Sequence, residues 1–170
     1  MRLCLVRHAI AVERGLPGFA DDASRPLTQE GRERMEAAAA GLRLLMTANA
    51  LLTSPLLRAR QTAEILQNAF GVEDSRVSEA LASGAHGALF DDANATGGET
   101  VLAVGHEPFL SEALAYALTG DSAGMSAQFK KGAAALVEFH GPAVPGGGVL
   151  EWLMQPAALR AVAGERPAGA

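Results

Sequence analysis

The chain has 170 residues, of which 49% are hydrophobic and 19% are charged, and its formal net charge is −5. This length suits one domain with a proper core, and the composition excludes a long disordered chain. The net negative charge gives no indication of a protein that binds nucleic acid through its overall charge. The single cysteine, Cys4, excludes an intrachain disulfide and a cysteine-based metal site.

Neither membrane insertion nor export is expected. No apolar stretch reaches the roughly 18 residues that a membrane-spanning helix needs. Arg7 and His8 interrupt the N-terminal apolar run before it resembles an export signal. We therefore expect a cytoplasmic protein whose Cys4 is a small buried hydrophobic residue.

Strands and helices alternate along the chain. In chain order, the patterns predict a strand at residues 2–6, a loop at 15–24, a helix at 29–46, a strand at 50–53, a helix at 57–70, a short strand around 77, a strand at 100–104, a helix at 107–118, and strands at 134–139 and 149–154. Thr28 is the expected N-cap of the first helix, and Gly71 and Gly120 are expected to end the other two. Residues 83–98 predict only a short helix.

This alternation predicts an α/β fold, a three-layer α/β/α sandwich around a mostly parallel sheet. The last two predicted strands flank a long Gly- and Pro-rich loop, so we expect a C-terminal antiparallel hairpin or edge strand there. We expect a single domain over residues 1–160 and a disordered tail over residues 161–170.

Polar side chains follow three of the predicted strands. Arg7 and His8 follow the first strand, Arg58 comes shortly after the second, and His106 follows the strand at 100–104. In open parallel sheets ligands bind outside the carboxyl ends of the strands, so these residues are expected to converge. An imidazole can attack phosphorus near neutral pH, and arginines bind phosphoryl oxygens. The set therefore indicates phosphoryl transfer.

Three segments in this order resemble the motifs of the histidine phosphatase superfamily, which includes the phosphoglycerate mutases. The segments are residues 5–9 (LVRHA), 54–63 (SPLLRARQTA) and 104–108 (VGHEP). Ala9 stands where the family's Arg-His-Gly signature has glycine. The resemblance implies a metal-independent phosphatase without a cofactor, in which His8 is the nucleophile and forms a phosphohistidine intermediate. It also implies that Arg7, Arg58 and His106 are catalytic and bind the phosphoryl group.

Further segments resemble the small SixA-type phosphohistidine phosphatases, which are similarly short. They are residues 25–28 (RPLT), 105–108 (GHEP) and Trp152 with the residues 155–156 (QP). This resemblance implies that the substrate is phosphohistidine on a histidine-containing phosphotransfer (HPt-like) signalling protein. Two alternatives stay open: a small-molecule phosphomonoesterase with the same site, and a non-catalytic phosphoprotein-binding module.

Two further residues are candidates for the site. Glu79 falls where many superfamily members place a general acid, and its alternative is a solvated carboxylate. Arg25 either binds substrate at the pocket rim or anchors its own loop. We expect the remaining polar residues singled out here to lie at the surface: Asp21, Asp22, Arg60, His86, Asp91, Asp92 and His140. Residues 83–98 are expected near the pocket mouth, where they would tune partner choice.

Overall fold

The computed structural model describes residues 1–15, 18–19, 21–73 and 75–164. Its strands are β1 Arg2–Arg7, β2 Ala50–Thr53, β3 Ser75–Val77, β4 Thr100–Gly105, β5 Ala134–Phe139 and β6 Gly148–Met154. Its helices are α1 Gln29–Leu45, α2 Leu57–Phe70, α3 Ala80–Ser83, α4 His86–Ala95, α5 Phe109–Thr119 and α6 Pro156–Val162, with a 3-10 turn at Asp22–Ser24. Part of the predicted loop (residues 16, 17 and 20) and the last part of the predicted tail (165–170) lie outside the described residues.

The strands form one six-stranded sheet in the order β3-β2-β4-β1-β5-β6. β1, β2, β3 and β4 run parallel to one another, whereas β5 is antiparallel to both β1 and β6. The mostly parallel sheet and the C-terminal antiparallel hairpin are therefore confirmed. The register pairs Arg7 with Gly105 and Thr53 with Val104, so the carboxyl ends of β1, β2 and β4 lie level.

Each central strand supplies apolar side chains to both faces of the sheet, as expected for a strand covered on both sides. Leu3 and Leu5 pack with α3, α4 and α5 on one face, whereas Cys4 and Val6 pack with α1, α2 and α6 on the other. The predicted three-layer sandwich is confirmed. Burial of Cys4 raises the pKa of its thiol, in keeping with an inert core residue.

Local signals explain why most predicted ends agree with the structure. The Thr28 side chain accepts from the Gly31 N–H and caps α1. Gly71 and Gly120 follow α2 and α5 in the left-handed conformation that glycine adopts without strain. α5 begins at Phe109, two residues later than predicted, after Pro108.

Helix α6 was not predicted. Its seven residues are short for a periodic pattern, and two of them fell within the predicted tail. Pro156 occupies its first turn, where proline is tolerated. The helix is held by tertiary packing: Leu159 is buried, and a Cβ at Gly41 of α1 would overlap the Leu159 carbonyl oxygen.

Residues 83–98 contain α4, which packs against α5. The segment ends just before β4 begins, at the amino end of that strand, so it runs along the sheet rather than staying at the carboxyl edge. Only the start of the segment, where Gly84 approaches Phe109, can therefore lie near the pocket mouth, and its role in partner choice stays a prediction. Within the described residues, no helix is long and apolar enough to span a membrane.

Candidate active site

The three sequence motifs meet at the carboxyl edge of the sheet. β1 and β4 are neighbours in register, so His8 and His106 follow them side by side, with ring centroids 4.9 Å apart. The His8 N–H donates to the Gly105 carbonyl at 3.0 Å, and the Ser54 N–H donates to the Val104 carbonyl at 2.9 Å. These bonds extend the ladder beyond the strand ends and fix the backbone of the site.

His8 is buried, with 6% of its surface exposed. Its Nδ1 lies 2.7 Å from the Ala9 carbonyl oxygen. A carbonyl can only accept, so Nδ1 carries the hydrogen and the lone pair is on Nε2. Burial, with the nearby charge of His106 and the two arginines, lowers the pKa of His8 to about 3. The ring is therefore neutral at neutral pH, which is the form a nucleophile needs.

Arg58 projects from the first turn of α2 and is 6% exposed. Its Nη1 donates to the Asp22 carbonyl at 2.8 Å, and its Nη2 donates to the Asp22 carboxylate at 3.2 Å. Burial lowers the pKa of Arg58 while Asp22 opposes that shift. The guanidinium is held at its far end, and its buried Nε has no partner.

Asp22 is not the solvated loop carboxylate that was expected. Its Oδ1 accepts from Arg14 Nε at 2.9 Å and from Arg25 Nη2 at 2.8 Å, in addition to the contact with Arg58. The hydrogen bond from Arg14, together with the charges of Arg58 and Arg25, holds the pKa of Asp22 well below its usual range. Arg25 also donates to the Val12 carbonyl at 2.5 Å, so it anchors its own loop. No local sequence pattern predicts this role of Asp22, because its contact with Arg58 joins residues that are distant in the chain.

Arg7 is held by the segment that precedes β5. Its Nη1 donates to the Phe129 carbonyl at 2.6 Å, whereas its buried Nε has no partner. The Phe129 N–H in turn donates to the Glu107 carboxylate at 2.9 Å. Ser111 donates to the same carboxylate through its N–H at 3.1 Å and through its hydroxyl at 2.7 Å. Burial lowers the pKa of Arg7, and the charge of Glu107 opposes that shift.

His106 is buried beside His8, with 7% of its surface exposed. Its Nε2 lies 2.7 Å from the Ser54 hydroxyl, and its buried Nδ1 has no partner. Burial and the charge of Arg58 lower the pKa of His106 to about 4.

Three buried nitrogen atoms without a partner thus belong to the predicted site: Arg7 Nε, Arg58 Nε and His106 Nδ1. Buried polar atoms without a partner are rare and require an explanation. Arginine nitrogens only donate, so the group that satisfies them must be an acceptor, and two positive charges favour an anion. The arrangement fits a phosphoryl group beside the His8 lone pair.

Glu79 remains an untested candidate. It precedes α3 as its N-cap residue and is exposed, and its carbonyl accepts from the Ser83 hydroxyl. Arg60 and His140 are exposed, as expected, and His86 pairs with Glu112 at 3.3 Å. In the part of the chain that the structure describes, no His, Cys, Asp and Glu side chains are grouped in a way that could hold a metal ion.

Comparisons with known proteins agree with this geometry. The family whose pattern matches residues 3–88 is the histidine phosphatase superfamily (branch 1). An uncharacterized protein of Picosynechococcus sp. is 40% identical over 128 residues, which cover 71% of this chain and 76% of that protein.

Solved structures give the same result. The protein histidine phosphatase SixA, in complex with tungstate, superposes with a TM-score of 0.77 at 26% identity, covering 94% of this chain and 99% of that one. The α-ribazole phosphatase of Shigella flexneri superposes with a TM-score of 0.68 at 16% identity, covering 90% of this chain and 96% of that one. The second likeness concerns the fold alone.

Proposed function

Because this chain belongs to the histidine phosphatase superfamily, in its SixA-type branch, we propose that it hydrolyses phosphohistidine on a phosphorylated protein partner. The observation that carries the proposal is the state of His8, a buried neutral imidazole whose Nδ1–H is donated to Ala9. The partner in this proposal is a histidine-containing phosphotransfer protein.

In the first step, His8 Nε2 attacks the phosphorus atom of the substrate. A bond forms between phosphorus and Nε2, and the bond between phosphorus and the substrate imidazole nitrogen breaks, with its electron pair staying on that nitrogen. The substrate ring carries a hydrogen on its other nitrogen and so leaves as neutral imidazole. Arg7, Arg58 and His106 hold the phosphoryl oxygens while charge develops on them. Each such preorganised donor typically contributes on the order of 3 kcal/mol to lowering the barrier.

In the second step, water attacks the same phosphorus atom and the bond to His8 Nε2 breaks. Inorganic phosphate leaves, the proton of the water passes to solvent, and His8 returns to its neutral form. The low pKa of His8, about 3, favours this return because the ring does not retain a second proton. No metal ion enters either step.

The carboxylates near the site support phosphohistidine as the substrate. Asp22 is kept ionised by its arginines, and Glu107 is occupied by Ser111 and Phe129. Neither is suited to protonate a leaving alkoxide. Glu79, the predicted candidate, is then the carboxylate left for the role of general acid. A phosphohistidine ring protonated on its other nitrogen leaves as neutral imidazole, whose conjugate acid has a pKa near 6.5, and it therefore needs less help from an acid than an alkoxide does. SixA itself is a protein histidine phosphatase whose solved structure is a complex with tungstate, an oxyanion.

The test measures phosphate release from a histidine-phosphorylated phosphotransfer protein in EDTA, with wild type and His8→Ala side by side. Rapid turnover by wild type and none by the variant is the expected result. A folded His8→Ala variant that retains near-normal turnover would remove His8 from its role.

The same experiment separates the alternatives. EDTA-resistant hydrolysis of p-nitrophenyl phosphate without turnover of the phosphoprotein would keep the mechanism and replace the substrate by small phosphomonoesters. Binding of the phosphoprotein without turnover of either compound would identify a binding module.

A further inference from the structure

Ser54 lies directly behind His106 and is fully buried. Its Oγ is 2.7 Å from His106 Nε2. The serine backbone is fixed, because its N–H donates to the Val104 carbonyl at 2.9 Å. The hydroxyl therefore meets the imidazole from a rigid strand end.

The direction of this hydrogen bond decides what His106 can do. The Leu56 N–H donates to Ser54 Oγ at 3.4 Å. The hydroxyl also has one hydrogen to donate, and His106 Nε2 is the acceptor that the described residues place within its reach. In a neutral imidazole one nitrogen donates and the other accepts. If Nε2 accepts from Ser54, the hydrogen of His106 is on Nδ1.

The two histidines are thus held by groups of opposite character. A carbonyl, which only accepts, holds His8 at Nδ1 and leaves the lone pair of Nε2 for attack. A hydroxyl, which can donate, holds His106 at Nε2 and leaves Nδ1–H as a donor. With the opposite tautomer, His106 would present a lone pair to the phosphoryl oxygens and repel them.

We propose that Ser54 is a positioning residue that holds His106 in the tautomer with its hydrogen on Nδ1, so that the buried Nδ1 donates to the phosphoryl group. Neither the sequence resemblance nor the comparisons assigned a role to this serine. The proposal concerns the ring in the free protein and can be tested without any substrate.

The test is 15N NMR of the His106 imidazole at neutral pH in wild type, Ser54→Ala and Thr53→Val. The 15N shifts distinguish a protonated ring nitrogen from an unprotonated one. Wild type is expected to show the hydrogen on Nδ1, and Ser54→Ala is expected to show a mixture of tautomers. Thr53→Val is the matched control, because the Thr53 hydroxyl donates to the Ser54 carbonyl and does not contact His106.

Kinetics provide the second readout. Ser54→Ala is expected to lower kcat/KM by roughly tenfold, as for the loss of one hydrogen bond in the transition state, and Ser54→Thr should restore both activity and tautomer. A wild-type ring with its hydrogen on Nε2, or an unchanged tautomer in folded Ser54→Ala, would overturn the proposal. An inactive wild type would contradict the proposed function alone, since the NMR result does not depend on turnover.

A different observation concerns Lys130 and Lys131, the only lysines in the sequence. Both are exposed, and neither has an ion-pair partner among the described residues. The Gly132 N–H donates to the Arg7 carbonyl at 3.1 Å, which places this turn at the carboxyl end of β1. Lys131 also lines a pocket with Ala9, next to the nucleophile. Unneutralised positive charge therefore lies beside the site of an acidic protein.

The same pocket is lined by Arg34, but one terminal nitrogen of that guanidinium pairs with Glu30 at 2.8 Å. Arg160 lines this pocket as well, and Lys131 with its chain neighbour Lys130 adds further positive charge to the rim. Such a charge raises the association rate of an anionic partner and fixes its orientation.

We infer that Lys130 and Lys131 bind carboxylates on the surface of the protein that presents the phosphohistidine. This inference rests on the proposed function. Its test compares Lys130→Ala/Lys131→Ala with Arg43→Glu, because each change lowers the net charge by two. Arg43 is the control, since it is exposed at the other end of α1, where it contacts Phe70.

For the double lysine variant, kcat/KM toward the phosphoprotein at low salt is expected to fall about tenfold and to lose most of its salt dependence. Turnover of free phosphohistidine should change by less than about twofold, because that substrate carries no protein surface. An equal fall with both substrates, an equal fall in Arg43→Glu, or no fall at all would overturn the inference. Wild type that does not turn over the phosphoprotein would overturn the proposed function and this inference together.

Discussion

Asp22 holds the guanidinium of Arg58 at two points, although the residues are 36 positions apart in the chain. The Asp22 carbonyl accepts from Nη1 at 2.8 Å and its carboxylate accepts from Nη2 at 3.2 Å. The loop before α1 therefore determines how Arg58 presents its Nε to the site. Phosphate binding by Arg58 thus depends on Asp22, which does not itself contact the phosphoryl group.

Replacing Asp22 with alanine is expected to lower kcat/KM by roughly tenfold, because Arg58, Arg25 and Arg14 lose their common partner. Steady-state phosphate release measures the change. Asp121→Ala is the control, since Asp121 lies in an exposed turn after α5. Higher activity in Asp22→Ala would mean that the carboxylate mainly repels the substrate.

Inorganic phosphate is expected to stabilise the protein against heat, because it satisfies the three buried donors of Arg7, Arg58 and His106. A ligand at 100 times its Kd adds about 2.7 kcal/mol to the free energy of unfolding, which is readily seen as a rise in Tm. Arg58→Ala should lose this rise, and Arg60→Ala, on the exposed side of α2, should keep it. A phosphate-dependent rise that survives in Arg58→Ala would place the anion elsewhere.

Glu107 is expected to be required for the placement of Arg7. In Glu107→Ala the Phe129 N–H loses its acceptor, and the Phe129 carbonyl that holds Arg7 is then less fixed. We expect a loss of stability of about 1–3 kcal/mol, as for a buried donor left without a partner, and lower kcat/KM. Urea unfolding and phosphate release measure the two effects. Glu112→Ala, which removes only the His86 contact, should change neither by a comparable amount.

The phosphoenzyme on His8 should be stable to base and labile to acid, as phosphoramidates are. Rapid quenching of wild type with labelled phosphoprotein is expected to trap label on the enzyme, and His8→Ala should carry none. His140→Ala, which alters an exposed histidine outside the site, should label like wild type. Label that persists in His8→Ala would require another nucleophile.

The two buried histidines should make the fold sensitive to acid. Their pKa values in the folded protein are about 3 for His8 and about 4 for His106, below the usual 6.5. Below pH 6.5 the unfolded chain therefore binds protons that the folded chain does not. As a result, the free energy of unfolding decreases as the pH is lowered. The expected slope is about 1.4 kcal/mol per pH unit for each histidine.

Urea unfolding between about pH 7 and 4.5 measures this slope. The double variant His8→Ala/His106→Ala should unfold with a much weaker dependence on pH than wild type. If the slopes were equal, other groups would account for the acid sensitivity. Activity limited by His8 protonation should not fall over the same range, because the ring stays neutral there.

Much of the fold is readable from residue patterns, and particular elements show why. β2 and α2 begin and end where predicted, because a short apolar run and a helix followed by Gly71 are strong local signals. α6 has no comparable signal: its seven residues are helical because Leu159 is buried against α1. Short elements such as this one depend on partners that a local pattern does not contain.

The candidate site, like the fold, was predictable from the sequence only in part. Residue type and motif order were enough to single out Arg7, His8, Arg58 and His106, since the carboxyl ends of parallel strands meet at one edge. The strand order and register decided that the two imidazoles lie 4.9 Å apart. The supporting contacts of Asp22, Ser54 and Phe129 join segments distant in the chain, and hydrogen bonds of that kind form only when the packed fold brings their partners together.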